Sequence, residues 1–435
     1  MQNIKTYSII IAAIVISTVT ANSVEYEDLD SYKYRIQYTK PSMGFLESIF
    51  QSGWNSVQKS TKETLVSDNI ASKTFWDAIR SSLDEGTFYN LVAGYKSTDN
   101  KSGSDIFLQA IYSSIYKIPV KYKSVSPTGD SIILSGKIFL PKNKEVKNII
   151  IANHYTICSN SEAPSNANSI EGIFASKDYI VLMPDYIGYG ISDSLTHPYL
   201  HLGSTVRSAI DMLNAAIPYL RAKEYTYNPS LILIGYSQGA AATLALQKTL
   251  EEKYSNQFTI KQVFAGAGPY DLAGTYDFYI SQRNIDIPCS MPMLVLGMDY
   301  GESLGLKRDD FFQPILMDKC PKLIESKELT MNEVNAELGN NIDLLFKPII
   351  YHRDSFPTRV LYDAIRRNCI IQWTPKSKLF LFQSTEDNMV PFLNSERLKA
   401  EFDEQQLENI QYDFAPYGNH MRAAVYFFEK VYKLL

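Results

Sequence analysis

The chain has 435 residues, of which 45% are hydrophobic and 20% are charged, and its formal net charge is −5. This composition is that of a globular protein with room for one large domain plus an accessory one, or for two ordinary domains. There is no long run of Lys or Arg, so the sequence offers no electrostatic footprint for nucleic acid and favours small or neutral partners.

The N-terminus has the pattern of a secretory signal. An uncharged stretch from Ser8 to Ala21 follows Lys5. It is shorter than the roughly 20 residues of a transmembrane helix, and it ends in small residues. We therefore predict a signal peptide over residues 1–22, cleaved near Ala21 to Ser23, rather than an uncleaved anchor. The mature protein would be secreted or periplasmic, without stable membrane insertion.

The next part of the chain, residues 23–115, carries mixed helical patterning and no recognisable chemistry. From about Ile118 the pattern changes to short apolar runs separated by turn residues, which predicts strands. Several runs are continuous in Ile, Leu, Val and Phe, as expected for parallel strands covered on both faces. The predicted strands are 119–125, 131–141, 147–153, 178–186, 230–236, 261–268, 378–384 and 410–416.

Segments of helical length lie between these strands, with apolar residues at steps of three and four. They include 169–177, 204–223 and 240–253. Strands that alternate with helices predict a doubly wound, mostly parallel α/β sheet.

One stretch between two predicted strands, residues 273–375, is far longer than a crossover needs. It contains the amphipathic segments 331–346 and 357–368, and we interpret it as an inserted helical cap or lid. The α/β core would then consist of residues 116–272 and 376–435.

Ser237 lies between two glycines in the sequence GYSQG, where a predicted strand passes directly into a predicted helix. Such a junction forces a sharp turn, and Gly235 and Gly239 remove side chains that would collide there. Ser237 would stand at a helix N-terminus, where amide groups and the helix dipole favour developing negative charge. The five-residue pattern also arises by chance, but this context predicts a nucleophilic serine. The amide of Gln238 would donate to an oxyanion.

A nucleophilic serine needs a base, and only two histidines follow Ser237 in the chain. His352 lies inside the predicted cap and is interpreted as a cap or surface residue. His420 lies in the loop YGNHM, between the last predicted strand and a helix. We predict that His420 is the general base.

The base needs an acid that orients it. Asp387 follows the strand 378–384 in the sequence STEDNMVP, at the edge where open α/β sheets collect functional groups. Glu386 is the immediate alternative, and we favour Asp387 because it begins a turn that leads into Pro391.

These motifs resemble the α/β-hydrolase superfamily and, within it, the secretory lipases and secreted bacterial esterases related to yeast lipase A. The matching pieces, in chain order from about residue 118, are SGKIFLP, NHYT, PDYIGYG, HPYLHLGSTVRSAIDML, GYSQG, STEDNMVP and GNH. The resemblance implies the α/β-hydrolase fold and ester hydrolysis by Ser237, Asp387 and His420. It also implies a second oxyanion amide from Tyr155 or Thr156, in a loop where relatives often have His-Gly.

Three other polar residues in these motifs are interpreted as structural. Asp185 in PDYIGYG would hold neighbouring loops by hydrogen bonds, and His197 and His201 in HPYLH would cage the loop above the sheet. No pair of histidines has convincing metal spacing with a third ligand, so we predict no metal and no cofactor.

The four cysteines also lack paired metal-ligand spacing. In an exported chain an even count permits two disulfides with three connectivities. A bond between Cys289 and Cys320 is our prediction for one of them. The remaining cysteines are Cys158 and Cys369.

The favoured function is a secreted serine ester hydrolase of the esterase or lipase type, which acts on a small-molecule or lipid ester through an acyl-enzyme at Ser237. A serine peptidase on the same fold would use the same three residues. A catalytically inactive binding protein is less consistent with the sequence, because all three positions are filled. The sequence assigns no oligomeric state.

Overall fold

The computed structural model of the chain describes residues 25–34 and 114–435. The predicted signal peptide and most of the segment 23–115 lie outside the described residues.

A mixed sheet runs through the centre of the described part. Its strands are β1 Glu27–Asp28, β2 Ile115–Val125, β3 Ser131–Pro141, β4 Glu145–Asn153, β5 Ile180–Pro184, β6 Thr226–Tyr236, β7 Ile260–Gly266, β8 Lys378–Ser384 and β9 Ile410–Ala415. The order across the sheet is β1-β2-β3-β5-β4-β6-β7-β8-β9. β3 is antiparallel to its two neighbours, and the other pairs are parallel. The predicted mostly parallel sheet is confirmed.

The central strands are buried on both faces, which explains their continuous apolar runs. In β6, Leu231 and Leu233 pack into the core on one side of the sheet, whereas Ile232 and Ile234 pack into the core on the other. Since successive strand residues point to opposite faces, both layers need apolar side chains at every position.

Helices cover both faces of the sheet. Their bounds are α1 Leu202–Ala222, α2 Gln238–Lys253, α3 Leu272–Gln282, α4 Ser290–Glu302, α5 Arg308–Phe311, α6 Pro314–Cys320, α7 Met331–Leu338, α8 Ile342–Leu345, α9 Thr358–Arg367, α10 Leu393–Glu404 and α11 His420–Leu434. The predicted segment 169–177 forms 3-10 turns over Ile170–Lys177 instead of an α-helix.

The chain between β7 and β8 contains α3 to α9, and we call residues 273–375 the cap. The predicted amphipathic segment 331–346 is divided there into α7 and α8. The division has a local cause, because the Asn341 side chain accepts a hydrogen bond from the Asp343 N–H at 2.9 Å and so starts a new helix.

The short segment 25–34 belongs to the same body as the sheet. β1 pairs with β2, and Leu29 is completely buried in the core. The Tyr32 ring meets the Tyr219 ring of α1 edge to face, with centroids 4.9 Å apart. Residues 25–34 therefore pack as part of the core, although the sequence pattern places them in the segment 23–115.

Among the helices of residues 25–34 and 114–435, none combines the length and the hydropathy that crossing a membrane would require.

Candidate active site

Ser237 occupies the sharp turn between β6 and α2. Its backbone has φ +57° and ψ −127°, a left-handed conformation that is costly for any residue other than glycine. The turn is held by the Ser237 N–H, which donates to the Gly266 carbonyl of β7 at 2.8 Å. Such strain persists only where surrounding structure imposes it, and it frequently marks functional positions.

The two flanking glycines allow a close approach of backbones beneath the turn. A Cβ on Gly235 would collide with the Gly239 carbonyl, and a Cβ on Gly239 would collide with the Asn153 carbonyl at the end of β4. The turn therefore packs directly on the loop that follows β4 and contains Tyr155 and Thr156.

His420 and Asp387 form a buried pair. The distance between His420 Nδ1 and Asp387 Oδ2 is 2.7 Å, and the two side chains are 4% and 0% exposed. His420 is the first residue of α11, and the Asn419 side chain caps this helix by accepting from the Arg422 N–H at 3.0 Å. Of the two carboxylates that the sequence left open, the structure brings Asp387 to the imidazole. Glu386 is exposed and accepts from the Gly418 N–H at 3.0 Å.

The Asp387 carboxylate is saturated with donors. Its Oδ1 accepts from the N–H groups of Met389 and Val390 at 3.0 and 2.8 Å. Its Oδ2 accepts from Gln383 Nε2 at 3.0 Å in addition to the imidazole. Gln383 was missed in the sequence, although a lone polar residue in the buried strand KLFLFQS is a usable signal, because a fully buried amide must find partners.

Two further contacts position the histidine backbone. The His420 N–H donates to Asn388 Oδ1 at 3.0 Å, and the His420 carbonyl accepts from the Tyr236 hydroxyl at 2.7 Å. Tyr236 directly precedes Ser237, so this bond ties the loop of the imidazole to the turn of the serine. The Ser384 hydroxyl donates to the Gly418 carbonyl at 2.5 Å and holds the same loop in place.

Ser237 and His420 line one cavity, which we call the imidazole cavity. Its wall also contains the following residues: Tyr155, Thr156, Tyr236, Ile287, Met331, Met389, Met421, Ala424 and Phe428. It encloses about 400 Å³, open mouth included. Among the described residues no hydrogen bond joins the Ser237 hydroxyl to the imidazole, a contact that commonly tightens only when substrate binds.

A second cavity, which we call the cap cavity, meets the first at Ser237. It encloses about 460 Å³, again including its mouth, and lies under α3 and α4. Its wall contains Tyr199, Leu200, Ser237, Gln238, Pro269, Leu272, Thr275, Tyr276, Tyr279, Ile287, Ser290, Met291, Leu294, Met389 and Val390. Ile287 and Met389 line both cavities.

The predicted oxyanion residues lie around Ser237. Gln238 is the first residue of α2 and is buried, and Tyr155 and Thr156 line the imidazole cavity. The Thr156 hydroxyl is 2.9 Å from the Tyr199 hydroxyl, which fixes this loop against the cap cavity.

His154 packs beneath the same loop. Its ring stacks on Tyr186 with centroids 4.0 Å apart. Burial lowers the pKa of His154 to about 4, so the ring is neutral at neutral pH.

Two of the three polar residues interpreted as structural, Asp185 and His197, connect neighbouring loops. The Asp185 carboxylate accepts from Ser135 Oγ at 2.6 Å and from the Ser165 N–H at 2.8 Å. Burial is the main cause that raises the pKa of Asp185. His197 Nδ1 lies 2.8 Å from the Ile187 carbonyl, and so links the loop HPYLH to the loop PDYIGYG.

The other two histidines lie apart from this constellation. His201 Nδ1 bonds Ser204 Oγ at 2.9 Å at the start of α1. His352 is exposed in the cap. Across residues 25–34 and 114–435 no cluster of three His, Cys, Asp or Glu side chains is arranged to hold a metal ion.

The predicted disulfide between Cys289 and Cys320 is wrong, because both residues are free thiols in the structure, as are Cys158 and Cys369. The thiols have different surroundings. Cys289 precedes α4 and contacts Cys158, whereas Cys320 ends α6 near Glu325 and Arg308. Burial raises the pKa of the Cys320 thiol to about 12, which keeps it protonated and unreactive.

Neither a scan against protein-family models nor a search of curated proteins gives a match. Solved structures do match. A Legionella pneumophila protein assigned as a hydrolase is 22% identical, with a TM-score of 0.67 over 74% of this chain and 88% of its own. The rice cell wall degrading esterase LipA from Xanthomonas oryzae is 21% identical, with a TM-score of 0.64 over 74% and 91%. Candida antarctica lipase A is 14% identical, with a TM-score of 0.55 over 70% and 73%. The architecture is the α/β-hydrolase fold.

Proposed function

We propose that this protein is a serine carboxylic ester hydrolase that forms an acyl-enzyme at Ser237. The observation that carries the proposal is the buried His420–Asp387 pair, with its 2.7 Å contact, beside a strained serine in the same cavity. A structural histidine would not need a carboxylate saturated with donors and a neighbouring hydroxyl in a cavity.

The reaction follows from the positions of these groups. Ser237 Oγ bonds to the ester carbonyl carbon while its proton passes to Nε2 of His420, the nitrogen that Asp387 leaves free. The oxyanion accepts one hydrogen bond from the backbone N–H of Gln238 and a second from the backbone N–H of Tyr155 or Thr156. His420 then gives its proton to the alcohol oxygen as the C–O bond breaks. Water reverses the sequence: its oxygen bonds to the acyl carbon as the bond from that carbon to Ser237 Oγ breaks, its proton passes through His420 to Ser237, and the carboxylic acid leaves.

Each of the two cavities would hold a different part of the ester substrate. The leaving alcohol must receive its proton from His420, which lines the imidazole cavity and not the cap cavity. The alcohol part of the ester therefore belongs in the imidazole cavity, and the acyl part extends into the cap cavity.

The walls of both cavities favour an ester over a peptide. No Asp, Glu, Lys or Arg of the described residues lines either one. A peptidase that holds a charged chain terminus would need such a group, because burying an unpaired charge is costly. The names of the similar structures, an esterase and a lipase, point the same way.

Export remains part of the proposal. The uncharged stretch from Ser8 to Ala21 supports a cleaved signal and a secreted or periplasmic enzyme. Mass determination of the mature N-terminus after expression in the native host would locate the cleavage. A mature chain that retains Met1 would contradict this part.

The test of the function is a paired substrate panel. Purified protein is assayed with p-nitrophenyl esters of increasing acyl length, with acetylated and feruloylated sugars, and with aminoacyl p-nitroanilides. We expect ester turnover without amide turnover, lost in Ser237→Ala and His420→Ala by several orders of magnitude. Amide turnover of comparable efficiency, or full activity in a folded Ser237→Ala protein, would contradict the proposal.

A further inference from the structure

The Gln238 side chain leaves a buried hydrogen-bond acceptor unused beside the nucleophile. Gln238 is 3% exposed, and its Oε1 has no partner among the described residues. Its Nε2 lies 3.1 Å from His197 Nε2. A buried acceptor without a partner destabilises the folded protein, so its presence at this position calls for an explanation.

The orientation of this amide is fixed by His197. His197 Nδ1 lies 2.8 Å from the Ile187 carbonyl, which only accepts, so Nδ1 carries the hydrogen. Burial lowers the pKa of His197 to about 3, so the ring is neutral and Nε2 is an acceptor. The amide must therefore present its NH₂ to the ring. Turning Oε1 toward His197 would put two acceptors face to face.

The other side-chain polar groups around the cap cavity are already satisfied. The hydroxyls of Ser290 and Thr275 donate to the carbonyls of Ile287 and Asp271 at 2.7 and 3.0 Å. The Tyr276 hydroxyl donates to a carbonyl at 2.7 Å. Apart from the nucleophile, Gln238 Oε1 is the one buried side-chain oxygen or nitrogen of this wall, among the described residues, that lacks a partner.

We propose that Gln238 Oε1 accepts a hydrogen bond from a donor on the acyl part of the substrate. This inference rests on the proposed function, and it implies that the enzyme selects hydroxyacyl esters. Gln238 directly follows Ser237 and lines the cap cavity, which would hold the acyl part, so we expect a hydroxyl near the ester carbonyl carbon to come within reach of its side chain. Apart from that of Ser237, the hydroxyls of the wall are already paired and its remaining side chains are apolar, which suits a short hydrocarbon with a single donor. A site built to pair a substrate hydroxyl discriminates strongly against an analogue that lacks it.

The test compares p-nitrophenyl butyrate with its 2-hydroxy, 3-hydroxy and 3-methoxy derivatives, each enantiomer separately. For the wild type we expect at least one hydroxy ester to exceed butyrate in kcat/KM by about tenfold or more. The methoxy ester keeps the oxygen but has no hydrogen-bond donor, so its kcat/KM should not exceed that of butyrate. This comparison needs no variant and stands even where a substitution prevents folding.

Gln238→Met keeps the length of the side chain and removes the acceptor, and we expect it to abolish the preference. Ser290→Ala is the matched control: it removes a hydroxyl of the same wall that is already paired, so the ratio of hydroxy ester to butyrate should persist. Equal kcat/KM for butyrate and all hydroxy esters, or a preference retained in Gln238→Met, would overturn this inference alone. Absence of turnover of every ester would overturn the proposed function with it.

Discussion

The Asp387 carboxylate accepts hydrogen bonds from four groups: the His420 imidazole, the Gln383 amide and the N–H groups of Met389 and Val390. Each hydrogen bond restricts the rotation of the carboxylate, and the carboxylate in turn fixes the orientation of the imidazole. In the proposed reaction this geometry keeps the proton of His420 on Nδ1 and leaves the other ring nitrogen for Ser237.

Asp387→Asn should lower kcat by about 10³- to 10⁴-fold, because the neutral amide stabilises neither the required tautomer nor the imidazolium. Glu386→Gln is the matched control, one residue away and exposed, and should stay within a few-fold of the wild type. Steady-state kinetics with p-nitrophenyl butyrate measures both. A larger loss in Glu386→Gln than in Asp387→Asn would reverse the assignment of the acid.

Gln383→Met should lower kcat by up to about 100-fold with little change in KM, because the carboxylate loses one of its restraints and the imidazole is misplaced. Gln411→Met, an exposed glutamine on the neighbouring strand β9, is the control and should leave kcat unchanged. A KM effect without a kcat effect in Gln383→Met would mean that the residue serves the cavity wall and not the position of Asp387.

The serine turn and the end of β4 work as one unit, because their backbones touch at Gly239. The Asn153 side chain reinforces this contact by donating to Thr243 Oγ1 of α2 at 2.9 Å. The loop that carries Tyr155 and Thr156 therefore has its position set by the helix that carries Gln238, and both halves of the predicted oxyanion hole share one frame.

Gly239→Ala should separate these two elements. The new Cβ meets the carbonyls of Asn153 and His154, so we expect kcat to fall by about 100-fold or more through loss of an oxyanion donor. Gly203→Ala in α1 is the control, since its Cβ makes only an ordinary contact with His201, at 3.6 Å, and alanine favours the helix. Kinetics and thermal unfolding are measured together. Normal kcat in a folded Gly239→Ala protein would refute the close coupling.

The strands and the serine turn could be predicted from the sequence where a local residue pattern determines the structure. The apolar runs of β6 and β8 are buried on both faces, and the turn at Ser237 needs its glycines, so both could be read directly. The partners of Gln383 and Gln238 could not, because they depend on which strands and loops meet in space. The disulfide failed for the same reason: a count of cysteines gives no distance between Cys289 and Cys320.

Several titratable side chains are buried across the whole molecule, and they couple stability to pH in opposite directions. His154 and His197 have lowered pKa values, of about 4 and about 3, so acid favours the unfolded chain, which can charge them. Glu162 and Glu171 have pKa values that burial raises to about 7. The folded protein keeps their protons where the unfolded chain releases them, so stability falls as pH rises from about 4.5 through about 7.

Glu171→Gln should remove one of these contributions to the pH dependence of stability. Glu171 is completely buried and its Oε2 has no partner among the described residues. A pKa of about 7 against 4.5 in the unfolded chain corresponds to about 3 kcal/mol. The free energy of unfolding of the variant relative to wild type should therefore rise by about 3 kcal/mol between about pH 4.5 and about pH 8.5.

Urea unfolding at several pH values measures this difference. Glu404→Gln, at an exposed site in α10, is the control and should parallel the wild type. A constant difference between Glu171→Gln and wild type across that range would show that Glu171 does not hold a proton in the folded protein.

The proposed reaction depends on the nucleophilicity of the Ser237 hydroxyl. The most direct measurement is intact-mass analysis after reaction with an alkyl fluorophosphonate, followed by peptide mapping. We predict a single adduct on Ser237 in the wild type, and no adduct in His420→Ala, which keeps the hydroxyl but lacks the base. An adduct on another serine, or an unmodified Ser237 in active protein, would contradict the central claim.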